Sequence, residues 1–376
     1  MTSEPRRLDV SPYLRRQPVN LALLTGLAVL FFLAVSALAR IHDSQRESLA
    51  ERWAERGVDN LNARQFKPAV EDFRTALLYS RDNPAYRLSL AQALMGLKRD
   101  DEAQAYLVNL WDREPENGLV SLELARIAVS KNNTEQALRY YHNAIYGTWN
   151  ADADIQRRKT RLELIAYLMR INARPQAEAE MIDLAATVGE NAAEQVQLGQ
   201  MFARVGDNQR ALTAFRDCLK LDRHNPAALA GAGAAAYQMG QYLDAERYLE
   251  EALLANPHDA ESAQRLKMTE YVLHWDPFRQ GLGQPQQNRM VLAAFAAAGD
   301  RLKSCKVQNA QEQQFQQQWT KLKPQMREID LERNPDLVNI AMNLVFSIEK
   351  ETASTCGAQS DTDQALLLVA SLHEEN

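Results

Sequence analysis

The chain is 376 residues long, 46% hydrophobic and 24% charged, with a net charge of −6. That is ordinary composition, with length for two or three domains. The central region has no basic tract, which argues against nucleic-acid binding.

The first element is Leu21–Ala39, LALLTGLAVLFFLAVSALA, nineteen residues without a charge. As a helix it spans about 28 Å, close to the ~30 Å hydrocarbon core of a bilayer. Arg6, Arg7, Arg15 and Arg16 precede it, and Arg40, Arg46 and Arg52 follow. Counting Lys and Arg alone makes residues 1–18 a cytoplasmic tail and residues 19–41 a transmembrane anchor, with everything after it outside. Ala37-Leu38-Ala39 also reads as a small-residue cleavage site. A removed signal peptide is therefore the alternative, and it delivers the rest of the chain to the same side.

Next comes a periodic region. Ala69, Ala103, Ala137, Ala177, Ala211 and Ala245 are spaced by 34, 34, 40, 34 and 34 residues. A fixed period of this size marks stacked helical hairpins, which expose extended binding surfaces. With the alanine at position 20 of a 34-residue unit, position 8 reads Gly57, Ala91, Ala125, Ile165, Gly199 and Gly233. Position 24 reads Phe73, Leu107, Tyr141, Met181, Phe215 and Leu249. Small residues at 8 and 20 let two helices approach, and large ones at 24 fill the space beside them. Gly206 and Gly240 supply turns inside their hairpins, and Pro115 and Pro257 stop second helices. Arg56 and Ile165 depart from otherwise Leu and small positions. The longer step reflects six extra residues around Gly147–Ala153, which lengthen either a turn or a helix and mark the least regular place in the array.

Trp53, Leu198-Gly199, Phe202, Ala211, Phe215 and Pro257 occupy their slots in a pattern that resembles the tetratricopeptide repeat. The likeness covers about Ala50 to Pro257. It implies an all-α fold with a right-handed superhelix of about six hairpins. With a capping helix over Ala260–His274, the array is expected to run over residues 48–275.

Asp276-Pro277 and Gly281-Leu282-Gly283-Gln284-Pro285 break the pattern, giving a linker over residues 276–288. Residues 289–376 then read as a small helical bundle, with amphipathic stretches at Met290–Cys305, Gln311–Leu322, Pro335–Ile348 and Asp361–His373. Cys218 falls on a packing position of the fifth unit. Cys305 and Cys356 lie in the bundle and are expected to form a disulfide in an oxidising compartment; two separate buried thiols are the alternative.

Little in the chain suggests chemistry. The six histidines are scattered, and no zinc spacing or phosphate loop is present. Gly231 and Gly233, in AGAGAAA, fall on helix-packing positions. No nucleophile, base and orienting group assemble from the sequence, so no catalytic, cofactor or metal site is expected. A polar pocket among Gln313, Trp319 and Glu349 is what a ligand-binding bundle would need.

The resemblance also implies a concave groove lined by the first helix of each unit. Carried over position by position, the lining is Leu88, Gln92 and Met95, then Leu122, Arg126 and Val129. Leu162 and Met169, Val196 and Gln200, and Tyr237 continue it. This face is mainly aliphatic and lacks the Lys and Asn pairing that clamps a terminal carboxylate in some family members. It suits an amphipathic helix or an extended apolar peptide; filling by the chain's own C-terminal helices is the alternative. The expected protein is an anchored scaffold in a bacterial inner membrane, its array periplasmic, assisting assembly of an envelope complex. A permanent subunit of a larger membrane complex is the rival.

Overall fold

A computed structural model describes residues 12–305 and 310–373. The expected tail residues Arg6 and Arg7 lie outside them. Every regular element among the described residues is helical. The chain divides into two compact units, residues 1–171 and 172–376.

The first unit holds α1 (Pro12–Asn62), α2 (Phe66–Tyr79), α3 (Pro84–Gly96), α4 (Asp100–Trp111), α5 (Gly118–Ser130), α6 (Thr134–Tyr146) and α7 (Ala153–Arg170). Helix α1 is unbroken. The apolar run and the first helix of the first hairpin are a single 51-residue rod. Its large apolar side chains from Leu21 to Leu38 are 49–72% exposed.

The second unit holds α8 (Arg174–Ala185), α9 (Ala192–Val205), α10 (Asn208–Leu221), α11 (Pro226–Gln238), α12 (Tyr242–Ala255) and α13 (Ala260–Trp275). After them come α14 (Gln284–Ser304), α15 (Ala310–Leu322), α16 (Glu328–Arg333), α17 (Asp336–Cys356) and α18 (Asp361–His373). The expected linker is a turn over residues 276–283, because α14 already begins at Gln284. The bundle also shares its core with the last array helices. Tyr242 of α12 and Val272 and Leu273 of α13 belong to the same buried cluster as Phe295, Val345 and Leu366.

Packing inside the hairpins follows the period. A Cβ added at Gly57 would lie 2.8 Å from the Phe73 ring, and one at Gly233 would lie 2.7 Å from Leu249. Phe215 fills two gaps at once: Cβ atoms at Gly199 and Gly231 would fall 2.7 and 2.3 Å from its ring. The AGAGAAA glycines are therefore close-contact positions. Cys218 is buried and free, as its packing position implies. The Arg56 departure has a partner: its Nε donates to the buried Asp72 carboxylate at 2.9 Å, and Asn60 donates to the other oxygen at 2.7 Å.

The long step goes mainly into a helix. Helix α7 has 18 residues where α3 and α5 have 13. The turn before it departs from the repeat pattern, as Asp152 is left-handed and uncapped, yet it is tied down by hydrogen bonds. Gly118 N donates to Thr148 O at 2.9 Å, Thr148 N to Glu116 O at 2.7 Å, and Trp149 Nε1 to Ala144 O at 2.9 Å.

The hairpin turns share one device. Position 15 is left-handed in all six repeats: Arg64 (φ 58°), Lys98 (62°), Asn132 (55°), Asn172 (60°), Gly206 (89°) and Gly240 (70°). In five of them the next residue donates back to the carbonyl five before it, as Gln65 to Asn60, Arg99 to Leu94, Asn133 to Ala128, Asp207 to Phe202 and Gln241 to Ala236. This is the Schellman closure, which satisfies the last carbonyls of a helix. A left-handed residue with a Cβ costs roughly 1–2 kcal/mol, least for Asn. Arg64→Gly and Lys98→Gly are therefore expected to raise unfolding stability by about 1 kcal/mol each, read as a higher denaturant midpoint, whereas Asn132→Gly gains less.

Candidate functional site

In the first unit the inner helices are α3, α5 and α7. Leu88, Met95, Val129, Leu162 and Met169 are half-buried there, and Leu122 is buried. A polar string crosses all three helices. Gln92 Nε2 donates to Glu123 Oε1 at 2.8 Å, and Arg126 Nη1 reaches the same oxygen at 3.2 Å. Arg126 then grips Glu163 with two bonds, Nε to Oε1 at 3.0 Å and Nη2 to Oε2 at 2.8 Å. Tyr141 Oη donates to Glu163 Oε1 at 3.0 Å. Such two-pronged guanidinium–carboxylate pairing fixes geometry as well as charge. The hydrogen bonds that Arg126 donates to Glu163, partly offset by burial, raise its pKa further. Burial pushes the Glu163 carboxyl up, but Arg126 and the Tyr141 hydroxyl outweigh it and hold the group below its ordinary value. Burial, reinforced by Glu163, pushes the Tyr141 hydroxyl up.

Gln92 and Arg126, expected to reach for a partner, are thus engaged with this chain's own carboxylates. Neither Glu123 nor Glu163 was in the expected lining. The signal was present, since both stand at position 6 of their repeats, one turn before the slot that holds Arg126.

In the second unit the inner helices are α9, α11 and α13. Between them lies an open cavity of about 740 Å³. Its floor is Ala227, Ala230, Gly231 and Ala234 of α11, with Gln200, Arg204, Gln238 and Arg265 around it. Arg265 is paired with Glu261 at 2.5 Å, while Arg204 has no acid partner among the described residues. Gln200 is among the residues that line the cavity. Val196 is half-buried and outside it. Tyr237 packs edge-on against Tyr242, ring centres 5.5 Å apart, and touches the bundle's core cluster. At that end the bundle borders the groove, with Gln364 of α18 lining the same small cavity of about 260 Å³ as Tyr237. Ala227, Ala230 and Ala234 occupy groove slots of the register, but alanine reads in sequence as filler, so they were missed.

Residues 55–117 and 203–267 each match a family model described as tetratricopeptide repeat. The chain carries tetratricopeptide repeats. No curated protein matches the sequence. Among solved structures it is similar to YrrB, described as a tetratricopeptide protein with an unusual peptide-binding site. That likeness has 16% identity and a TM-score of 0.39, covering 53% of this chain and 99% of that one. It is also similar to Pseudomonas aeruginosa pilF, with 12% identity and a TM-score of 0.40 over 58% of this chain and 97% of that one. PilW, described as a type IV pilus biogenesis factor, aligns at 15% identity and a TM-score of 0.39 over 58% and 98%.

The bundle does not gather Gln313, Trp319 and Glu349 into a pocket. Gln313 is exposed. Trp319 stacks on Phe295 at 5.4 Å over Gly299, its Nε1 donating to the Phe295 carbonyl at 3.0 Å. Glu349 is 1% exposed, with no hydrogen-bond partner for either oxygen. It shares the interior with Arg301 and Asp363, which approach each other to 3.4 Å. Asp363 also accepts from Gln359 N and Ser360 N, while its own N–H donates to Ser360 Oγ, closing the start of α18 as a capping box. Cys305 and Cys356 are joined in a disulfide, Cα atoms 6.1 Å apart, tying α14 to α17. Among the described residues no group of three or more His, Cys, Asp or Glu side chains could hold a metal ion.

Burial pushes the Glu349 carboxyl up to about 7, Asp363 adding to the shift and Arg301 opposing it. The folded state therefore holds a proton that the unfolded chain releases near 4.5. The resulting stabilisation is complete below pH 4.5 and is lost as the pH rises to about 7. Denaturant midpoints should fall across that window, and Glu349→Gln should flatten the fall. A slope unchanged by the substitution would show that another group is responsible.

Proposed function

We propose that this chain is a membrane-tethered scaffold whose second unit receives a segment of a partner protein. The observation that carries the tether is α1. A bare apolar stretch of bilayer length continues without a break into the first hairpin. Water does not favour nineteen such residues side by side, whereas a hydrocarbon core does. Ala37–Ala39 lies inside the rod and not at a break in it. The Cys305–Cys356 bridge supports an oxidising, extracytoplasmic side for the bundle. With the arginines before the apolar run, that supports a cytoplasmic N-terminus and a periplasmic array.

The receiving site is the alanine-floored cavity. Side chains no larger than a methyl let a partner backbone come close, and Gln200 and Gln238 can each both donate to and accept from a peptide unit. Arg204 remains available for a carboxylate. The first-unit groove is the weaker candidate, because its central charges already satisfy one another. Tethering raises the effective concentration of partners at the membrane and so favours assembly of an envelope complex. No catalytic step belongs to this reading.

A photo-crosslinking residue at Ala230 should capture a discrete partner in cells, and Ala230→Trp should abolish capture at Gln200 while leaving the melting temperature within a few degrees. Capture of nothing beyond the chain's own C-terminal residues would defeat the open-groove reading. A partner set that stays stoichiometric through detergent purification would favour a permanent subunit instead.

A further inference from the structure

The end of the first hairpin that points back toward the apolar run has no assigned role. Helices α1 and α2 are antiparallel, as Asn60 and Arg56 both meet Asp72 while Arg46 Nη2 donates to Tyr79 O at 3.0 Å. The last turn of α2 is thus tied to Arg46, seven residues beyond Ala39. Along a helix that is about 10 Å. The interfacial layer of a bilayer extends roughly 5–8 Å beyond its hydrocarbon core, and a tilt of about 20° lowers the hairpin further. The turn of residues 80–83, which leads from α2 into α3, follows directly from that level.

The side chains at this end suit such a layer. Leu78 is 69% exposed. Arg40 and Arg81 are exposed and have no acid partner among the described residues. The acids at the same level are Asp43 and Glu47, both exposed, and Asp82, which is paired with Arg87 at 2.8 Å. Arg40, Arg46 and Arg81 outnumber the two unpaired acids by one, so the balance is cationic, and an apolar side chain sits beside it. With no glycine or proline between Gly26 and Gly57, the rod has no sequence hinge that would lift the hairpin away.

From this we infer that the α1–α2 hairpin seats its open end in the interfacial layer of an anionic bilayer, Leu78 entering among the headgroups and Arg40 and Arg81 meeting lipid phosphates. The inference rests on the anchor reading above, and the test separates the two. Cys218 is buried and the other cysteines are bonded to each other, so one introduced cysteine is the reactive thiol for labelling.

The full chain is placed in phosphatidylglycerol-containing nanodiscs with a fluorophore at Phe31→Cys, Leu78→Cys or Ala63→Cys. Ala63 lies in the turn at the far end of the hairpin, about 25 Å further from the bilayer. Acyl-chain quenchers should reach the label at Phe31. Headgroup quenchers should reach the label at Leu78 at least threefold more than that at Ala63. Adding Arg40→Glu and Arg81→Glu should at least halve the Leu78 quenching in anionic discs and leave it unchanged in phosphatidylcholine discs. Quenching at Phe31 with equal, weak quenching at Leu78 and Ala63 would overturn the seating and leave the anchor intact. A water-exposed Phe31 label would overturn both. Leu78 quenching indifferent to the arginine substitutions would overturn the phosphate contacts.

Discussion

The array depends on one contact, a bulky side chain from the second helix pressed onto a residue with almost no side chain on the first. Phe73 lies on Gly57, Phe215 between Gly199 and Gly231, and Leu249 on Gly233. At such distances a single added carbon has nowhere to go, so the spacing of the two helices is set by van der Waals contact. The regular alanine positions follow from the same constraint, and so does the burial of Ala69, Ala103, Ala137, Ala177, Ala211 and Ala245, each 0% exposed. The left-handed turn residues complete it. They reverse the chain in so few residues that the facing surfaces meet in register.

Much of this was legible in the sequence because the period repeats the same steric problem six times. The device at position 15 was legible only where it was glycine. Arg64 and Lys98 adopt the same backbone without announcing it, since tertiary packing overrides their preference. The caps were also in view but unused. Asn83, Asn117, Asn191, Asn225 and Asp259 each accept backbone N–H bonds at the start of a first helix. Two units depart from that rule: the first, whose first helix is part of the unbroken α1, and the fourth, where α7 begins at Ala153 and Asp152 makes no such bond.

The groove was harder to read. Register gives which residues face inward, but not which of them satisfy one another. Arg126 looked like a hand held out to a partner, yet two glutamates on neighbouring positions already hold it. Conversely, Ala227, Ala230 and Ala234 looked inert, and together they make the open floor. Emptiness is a property of neighbouring side chains jointly, so single positions did not reveal it. The buried group of Arg301, Asp363 and Glu349 is similar. Residues 14 to 62 positions apart in sequence meet only because α14, α17 and α18 share a core.

Helix α1 turns the apolar run into a lever. In the proposed tethered state a flexible joint would let the first hairpin move independently of the apolar run, and the rod allows no such slack. From the middle of the apolar run to Asn62 is about 48 Å, so a 10° change in tilt within the bilayer would sweep the hairpin end through roughly 8 Å. A twist of the same helix would turn the first hairpin through the same angle. In the proposed tethered state, whatever grips Leu21–Ala39 within the bilayer would therefore exert a torque on the first repeat.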